Sequence, residues 1–262
     1  MNIKKINQLR KPLKNYIFLN DTLYIESDLT NLIKNSDIVF KKKSLNEILY
    51  LFKSLVGPKG TIICPTFTYS WGRDKKKKYF DVKKTKAHTG SFAEYLRNQK
   101  NSLRTLDPMF SFVIHGSKKE NFLDIENDSF GKKSVFSKLL KSNAKLMSFC
   151  LNQFDPTFVH FVEQFYHENI EKIDYRSKVV LKGKLKNYQS KIETKKQVCL
   201  LRNINSKLFF DEKNIKKTLL KKKMLKVIKL KFTKIYIVAA KDFFQEGLMG
   251  MIKNPHFFVS KK

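Results

Sequence analysis

The residues best suited to chemistry are His160 and Glu163, three positions apart in a segment that reads Thr-Phe-Val-His-Phe-Val-Glu. At helical spacing the two side chains lie on one face, in a row that starts at Thr157 and extends to His167. An imidazole titrates close to working pH, so it can take a proton from an attacking amine or hydroxyl. We therefore predict His160 as a general base, with Glu163 either orienting the imidazole or holding the incoming ammonium group. The alternative is a histidine with a purely structural role.

A helix must begin just ahead of this row to present it. Asp155 is suited to the N-cap, where its carboxylate accepts a free backbone N–H, and Pro156 to the first helical position, where no donor is missed. The apolar residues on the other sides of this helix are Phe158, Phe161, Val162 and Phe165. The pattern predicts a helix with one polar face and a largely apolar remainder.

Five further motifs precede the histidine segment, at residues 60–70, 80–81, 88–97, 104–111 and 130–136. In this order and spacing, with the histidine segment as the sixth member, the series resembles the aminoglycoside 3-N-acetyltransferase family. Each motif is weak alone, but six in the right order are specific. The resemblance runs from about residue 21 to residue 163 and more loosely to the C-terminus. It implies an acetyl-coenzyme A dependent enzyme with an α/β fold of its own.

Composition limits the other classes of function. The chain has 262 residues, 42% of them apolar, and can bury a sizeable core despite a net charge of +31. Such a charge ordinarily favours nucleic-acid binding. Only six of the 54 basic residues are arginine, however, and arginine is the side chain that bidentate recognition of bases and phosphates favours. We therefore predict solvated lysine runs at residues 75–78 and 221–223, and no specific nucleic-acid partner.

The cysteines and the chain ends point to an intracellular protein. Cys64, Cys150 and Cys199 show neither metal-ligand nor disulfide-framework spacing, so no metal is expected and a reducing cytoplasm is favoured. Residues 1–13 are polar and basic, and no segment approaches the ~20 apolar residues that span a bilayer. We expect a soluble cytoplasmic protein, and the sequence leaves a homodimer open.

Strand and helix patterns alternate through the first part of the chain. Strands are predicted over residues 21–27, 61–64, 110–114 and 145–150. Helices are predicted after two capping boxes, Ser44 with Glu47 and Ser91 with Glu94, and over residues 134–140. Together with the resemblance, this alternation predicts a layered α/β/α core with a mixed sheet over about residues 15–170.

The pattern changes after about residue 170. Period-two stretches over residues 178–185, 194–201, 226–232 and 235–239 predict a smaller antiparallel β-rich part over about residues 171–238. A helix is expected within it, over residues 214–222. A last helix, over about residues 240–252, is expected to return to the core. No linker divides the chain, so we predict a single acetyltransferase domain over residues 1–262.

The resemblance implies roles for further residues. Backbone amides after Ile25 and after Cys64, at two strand ends, are expected to meet the pantetheine chain of acetyl-coenzyme A. The residues assigned to coenzyme binding are Ser27, Thr66, Phe67, Thr68 and Ser111. Those assigned to the acceptor are Tyr69, Asp107, Asp155 and Thr157. For Thr66 and Thr68 the alternative is a structural hydroxyl where a strand meets a turn.

The sequence departs from the family pattern at three places. Glu26-Ser27-Asp28 stands where relatives have His-Ser-Ser, which puts two carboxylates where an anionic coenzyme is expected. Asp107 and Phe110 replace two histidines of a His-Pro-x-His-Ser motif. Cys150 stands where relatives commonly have glycine. We expect a reshaped acceptor pocket and a narrower coenzyme channel, with weaker coenzyme binding or loss of activity left open.

Charge guides the choice of acceptor. A protein with a net charge of +31 repels a polycationic aminoglycoside at long range and attracts an anion that carries an amine. We therefore expect a nucleotide-linked amino sugar, as in the branch of the family that acts in surface-polysaccharide synthesis, which the Asp174-Tyr175-Arg176 motif also resembles. Aminoglycoside acetylation, and hence antibiotic resistance, is the first alternative. A catalytically decayed basic binding protein is the second.

Overall fold

The structure is a computed structural model that describes residues 4–34, 42–69, 71, 78–203, 205–231 and 233–261. Most of the predicted lysine run at 75–78, the end of the motif at 60–70 and the end of the predicted strand at 226–232 lie outside these residues. The strands are β1 (Thr22–Ser27), β2 (Thr61–Pro65), β3 (Tyr79–Asp81), β4 (Ser102–Arg104), β5 (Phe112–Gly116), β6 (Lys145–Leu151), β7 (Arg176–Lys186), β8 (Ile192–Arg202), β9 (Leu208–Phe210), β10 (Lys226–Lys229), β11 (Lys234–Ala239) and β12 (Val259–Lys261). The helices are α1 (Arg10–Leu13), α2 (Leu29–Lys34), α3 (Lys42–Val56), α4 (Ser91–Arg97), α5 (Val135–Lys141), α6 (Val159–Asn169), α7 (Lys213–Lys221) and α8 (Ala240–Lys253).

Strand β1 lies at the centre of the main sheet, whose strand order is β10-β11-β6-β1-β2-β5-β4. β1 is parallel to β2 and to β6, and the other pairings in this sheet are antiparallel. Each residue of β2 is buried, as expected for a strand that is covered on both faces. The mixed sheet predicted from the alternating pattern is confirmed.

Side chains of β1 alternate between two hydrophobic clusters and so define the layers. Leu23 and Ile25 belong to one cluster, together with residues of α2, α3 and α4. Tyr24 belongs to the other cluster, together with residues of α5, α6, α7 and α8. Because successive side chains of a strand point to opposite faces, the sheet must separate these clusters. The layered α/β/α prediction is confirmed.

The C-terminal part differs from prediction in one respect. β7 and β8 form a long antiparallel hairpin with β3 beside β7, and β9 pairs with β12. β10 and β11, expected in this antiparallel part, instead extend the main sheet next to β6. Period-two alternation identifies a strand but not its partner, so the sequence could not assign them. The last helix, α8, packs against α5, α6 and α7 as predicted.

The structure agrees with the predicted start of α5 but not with the two predicted capping boxes. The helix predicted over residues 134–140 is α5, and Ser134 caps it, because its hydroxyl accepts the Ser137 N–H at 3.2 Å. The two capping boxes are wrong: Ser44 lies inside α3, and Ser91 follows the actual N-cap residue, Gly90. Gly90 has a φ of 103°, a conformation that residues other than glycine rarely adopt. A glycine conformation therefore sets the start of α4 where a serine cap was expected.

Candidate active site

The histidine segment enters its helix later than predicted. α6 begins at Val159, so Asp155 is not the N-cap and Pro156 is not the first helical residue. The chain instead makes a tighter turn, in which the Val159 N–H donates to the Pro156 carbonyl at 3.0 Å. The Thr157 N–H donates to Oε1 of Glu26, near the end of β1, at 3.0 Å. The Glu26 carboxylate therefore accepts a free backbone N–H of the kind that Asp155 was expected to accept.

His160 and Glu163 contact each other, and Arg176 at the start of β7 contacts both. His160 Nδ1 lies 2.8 Å from Glu163 Oε2, and Arg176 Nη2 lies 2.9 Å from the same histidine nitrogen. Arg176 Nε lies 2.7 Å from Glu163 Oε2, which makes an ion pair. The Glu163 side chain is 0% exposed, Arg176 is 9% exposed and His160 is 25% exposed. His160 is thus the member of this trio that a substrate can reach.

The two contacts at His160 Nδ1 require opposite proton positions. Arg176 can only donate, so its contact needs an unprotonated Nδ1, whereas a bond to Glu163 Oε2 needs a proton on Nδ1. A carboxylate is the stronger acceptor, and Arg176 is already held by its ion pair with Glu163. We therefore place the proton on Nδ1, donated to Glu163. That arrangement leaves Nε2 with a lone pair, as a general base requires.

Burial and the Arg176 guanidinium keep His160 neutral. Burial lowers the pKa of His160 below its ordinary value, and the Arg176 guanidinium lowers it further against the opposing effect of Glu163. Burial alone would raise the pKa of Glu163, but Arg176 and the hydrogen bond to His160 hold it below the ordinary value. Near neutral pH the pair is therefore a carboxylate and an unprotonated imidazole, which is the state that can accept a proton.

His160 lines a cavity of about 340 Å³. Three of the four predicted acceptor residues, Tyr69, Asp155 and Thr157, line the same cavity. Asp155 is exposed and makes no hydrogen bond or ion pair with any described residue. The remaining wall includes Phe130, whose ring meets the His160 ring edge-on with centroids 5.5 Å apart. The cavity thus combines apolar surface with a free carboxylate beside the imidazole.

Asp107, the fourth predicted acceptor residue, has a different role. Its Oδ1 accepts the backbone N–H groups of Met109 and Phe110 at 3.0 and 2.8 Å. Its Oδ2 accepts the Ser129 hydroxyl at 2.6 Å and the Gln197 amide at 3.1 Å. The carboxylate is buried, and burial raises its pKa. Asp107 closes the turn before β5, which explains why that strand begins at Phe112 rather than at residue 110.

Four of the five predicted coenzyme residues, Thr66, Phe67, Thr68 and Ser111, have buried side chains. The buried guanidinium of Arg104 donates to the Thr66 carbonyl at 2.6 Å and to the Ser111 hydroxyl at 3.0 Å. The N–H groups of Thr66 and Thr68 already donate to the carbonyls of Ser111 and Met109. The expected pantetheine contacts therefore have no open donor at Thr66 or Thr68. Ser27, at the end of β1, is partly exposed.

The carboxylates that depart from the family pattern hold helix starts. Asp28 Oδ1 accepts the Thr30 N–H at 2.9 Å and so caps α2, while Glu26 holds Thr157 as described above. Both carboxylates therefore accept a backbone N–H of their own chain. Cys150 has a φ of 61°, in the region that favours glycine. This conformation gives a physical reason for the glycine that relatives have at the corresponding place.

Two arginines in the cavity were not assigned to the site from the sequence. Arg176 was noted only within a motif, and its place beside Glu163 depends on the pairing of β7 with the rest of the fold. Arg202, at the end of β8, lines the cavity with its guanidinium 4.4 Å from the centre of the Phe209 ring. No sequence signal distinguishes Arg202 from other surface cations.

Within the described ranges, no cluster of three or more histidine, cysteine or acidic residues could hold a metal ion. Across the same ranges, no helix is both long enough and apolar enough to cross a bilayer.

A carboxylate–imidazole pair that opens on a cavity is an arrangement that can accept a proton from a nucleophile. The family model for aminoglycoside 3-N-acetyltransferases matches residues 36–251. The chain belongs to this family and is an N-acetyltransferase.

Several solved structures share this fold. AAC-IIIb in a binary complex with CoASH is 17% identical, with a TM-score of 0.75 over 95% of this chain and 96% of that one. The aminoglycoside acetyltransferase AAC(3)-IIb is 12% identical, with a TM-score of 0.77 over 97% and 98%. The YokD protein from Bacillus subtilis is 15% identical, with a TM-score of 0.73 over 97% and 96%. A search of curated proteins finds no match. None of these matches concerns surface-polysaccharide synthesis.

Proposed function

We propose that the protein transfers the acetyl group of acetyl-coenzyme A to a primary amine of an amino-sugar acceptor of the aminoglycoside class. The observation that carries this proposal is the His160–Glu163 pair, with its unprotonated Nε2 beside the free carboxylate of Asp155 in one cavity. Family membership and the CoASH complex of AAC-IIIb support acetyl-coenzyme A as the donor.

The free carboxylate of Asp155 has a role at the start of the reaction. An amine acceptor arrives largely as an ammonium ion, which a carboxylate attracts and orients. Glu163 was the other candidate for this role, but its side chain is fully buried and engaged by His160 and Arg176. We therefore assign ammonium binding to Asp155 and imidazole orientation to Glu163.

His160 Nε2 takes one proton from the ammonium, and the amine nitrogen then attacks the thioester carbonyl carbon. The tetrahedral intermediate collapses when the carbon–sulfur bond breaks. The imidazolium of His160 returns its proton to the departing sulfur, so that the coenzyme leaves as a thiol, and the nitrogen releases its second proton to solvent. Glu163 keeps the imidazole in the required tautomer throughout, since its Oε2 holds the Nδ1 proton.

The acceptor class rests on two sets of observations. The family match and the aminoglycoside acetyltransferase AAC(3)-IIb support an aminoglycoside better than the polysaccharide precursor expected from sequence charge. One specific observation favours an anionic amino sugar as a second candidate. Two guanidiniums, of Arg176 and Arg202, line the cavity, against one free carboxylate on Asp155. Arg176 is offset by its ion pair with Glu163, so Arg202 is the cation left to meet an anionic substituent.

Steady-state kinetics with acetyl-coenzyme A test this proposal, with release of free thiol as the readout. The acceptors are sisomicin, glucosamine and glucosamine 6-phosphate, each at low and high salt. A higher kcat/KM for sisomicin supports the aminoglycoside class, and a preference for the phosphorylated sugar that shrinks with salt supports the second candidate. Acetyl-coenzyme A that neither turns over with any of these amines nor raises the melting temperature would contradict the enzyme proposal.

The role of His160 is tested with a matched histidine variant. His160→Ala is expected to lower kcat by about 100-fold or more, because a positioned general base contributes about that factor. His115→Ala is the control, since His115 lies on β5 and outside the cavity. Near-normal turnover in His160→Ala, with the fold intact by circular dichroism, would leave His160 with a structural role alone.

A further inference from the structure

Glu26 stands out among the buried carboxylates because it connects the central strand to the helix of the general base. It lies in β1, opposite Ser148 of β6, and its side chain is almost completely buried. Along a strand, residues two apart point to the same face, so Glu26 projects with Tyr24 toward the layer that contains α6. The family resemblance implies a histidine at this position, so it gives no role for a glutamate there.

Both hydrogen bonds of Glu26 Oε1 are to fixed partners. The Tyr24 hydroxyl donates to this oxygen at 2.7 Å and the Thr157 N–H donates to it at 3.0 Å. Tyr24 is itself held within an aromatic cluster, where its ring centre lies 6.0 Å from that of Phe112. Burial raises the pKa of Glu26 to about 7, and the hydrogen bonds from Thr157 and Tyr24 oppose that rise. The carboxyl therefore has one defined position, set from the sheet.

Thr157 transmits this position to His160. The Thr157 N–H binds Glu26, while the Thr157 carbonyl accepts the His160 N–H at 3.1 Å. Two hydrogen bonds thus connect the carboxyl of Glu26 to the backbone of the general base. Thr157 also lines the acceptor cavity, so the same link sets one wall of the cavity. Helix α6 has no side-chain cap at its N-cap residue, Phe158, and Glu26 supplies a side-chain acceptor to the turn just before it.

We propose that Glu26 is a positioning residue, which holds the turn before α6 and thereby fixes His160 relative to the acceptor cavity. Displacement of a reacting group by about 1 Å can cost as much as 100-fold in rate. Loss of this anchor should therefore reduce kcat more than it changes the KM for acetyl-coenzyme A. The expected fall in kcat rests on the proposed function, but the expected loosening of the turn before α6 does not.

Glu26→Ala and Glu26→Gln separate positioning from simple loss of stability. The alanine variant removes the acceptor, and kcat is expected to fall about 10- to 100-fold with less than a threefold change in KM for acetyl-coenzyme A. The glutamine variant keeps a carbonyl oxygen that can accept the Thr157 N–H, and should recover most of the rate. Glu246→Gln is the matched control, because Glu246 is a buried carboxylate on α8 that pairs with Lys222.

Hydrogen exchange gives a readout that does not require turnover. Amides of residues 155–162 should exchange faster in Glu26→Ala than in the parent protein, and at the parent rate in Glu246→Gln. If no amine is acetylated by the parent protein, the proposed function fails while this measurement still decides the role of Glu26. Unchanged exchange in this segment, or a kcat that falls no further in Glu26→Ala than in Glu246→Gln, would overturn the inference.

Discussion

The pKa of His160 should depend on the charge of Arg176, and a pair of substitutions can show this. Arg176→Gln removes the guanidinium that lies 2.9 Å from His160 Nδ1, while Arg176→Lys keeps a positive charge at the same place. A neighbouring cation disfavours the imidazolium, so its removal should raise the pKa of His160. The acid limb of the kcat/KM profile should then move to higher pH in the glutamine variant and stay near its original place in the lysine variant.

The size of the shift follows from the distances and the exposure. Two unit charges about 4 Å apart interact by ~4 kcal/mol at an effective dielectric constant of ~20, and by ~1 kcal/mol in water. At ~1.4 kcal/mol for each pH unit, these limits correspond to about one to three units. His160 is 25% exposed, which screens the interaction. We therefore expect a rise of about one unit.

Two assays measure this shift independently. The kcat/KM profile reports the free enzyme, and imidazole resonances of isotope-labelled histidine report the titration without turnover. The five histidines of the chain are assigned by single substitution, starting with His160→Asn. Arg202→Gln serves as a further control, because Arg202 lines the same cavity without contacting His160. A His160 pKa that stays constant or falls in Arg176→Gln would refute the electrostatic reasoning.

Two further predictions concern stability and are checked by urea unfolding. Arg104→Lys should destabilise the fold by about 2–4 kcal/mol. One ammonium cannot replace the guanidinium that binds Thr66, Thr85 and Ser111, so buried acceptors are left unpaired. A loss of stability below about 1 kcal/mol would mean that water pairs with these acceptors instead. Cys150→Gly should be more stable than Cys150→Ala by about 1 kcal/mol, since the left-handed conformation penalises a Cβ atom; the reverse order would show that this conformation is not adopted.

Local spacing explains why the centre of the site could be predicted. His160 and Glu163 are related by the geometry of a single helix, and a residue and its third neighbour share a face wherever that helix lies. The structure keeps this relation even though α6 starts later than expected. Tyr69, Asp155 and Thr157, which the family resemblance assigned to the acceptor, line one cavity with His160.

The remaining site features depend on contacts that no local pattern encodes. Arg176 reaches Glu163 because β7 runs past α6, and Glu26 reaches Thr157 across 131 positions of sequence. Asp107 was assigned to the acceptor, but its carboxylate binds groups of the protein itself. An aspartate followed by proline can bind its own backbone or face a ligand, and sequence alone does not distinguish these uses. In the structure both of its oxygens are occupied, two backbone donors among them.

The places of Glu26 and Asp28 in the fold bear on whether the enzyme has lost its activity. Glu26 and Asp28 stand where the family resemblance implies that the coenzyme approaches, yet each accepts a backbone donor at a helix start. Asp28 thus holds the start of α2, and Glu26 holds the turn before α6. By contrast, the trio of His160, Glu163 and Arg176 is costly for stability, because buried charges lose hydration that their pairing only partly restores. Burial and Arg176 keep the imidazole neutral, while Glu163 fixes its tautomer. A basic binding surface gains nothing from so costly an arrangement, whereas a proton acceptor uses both effects.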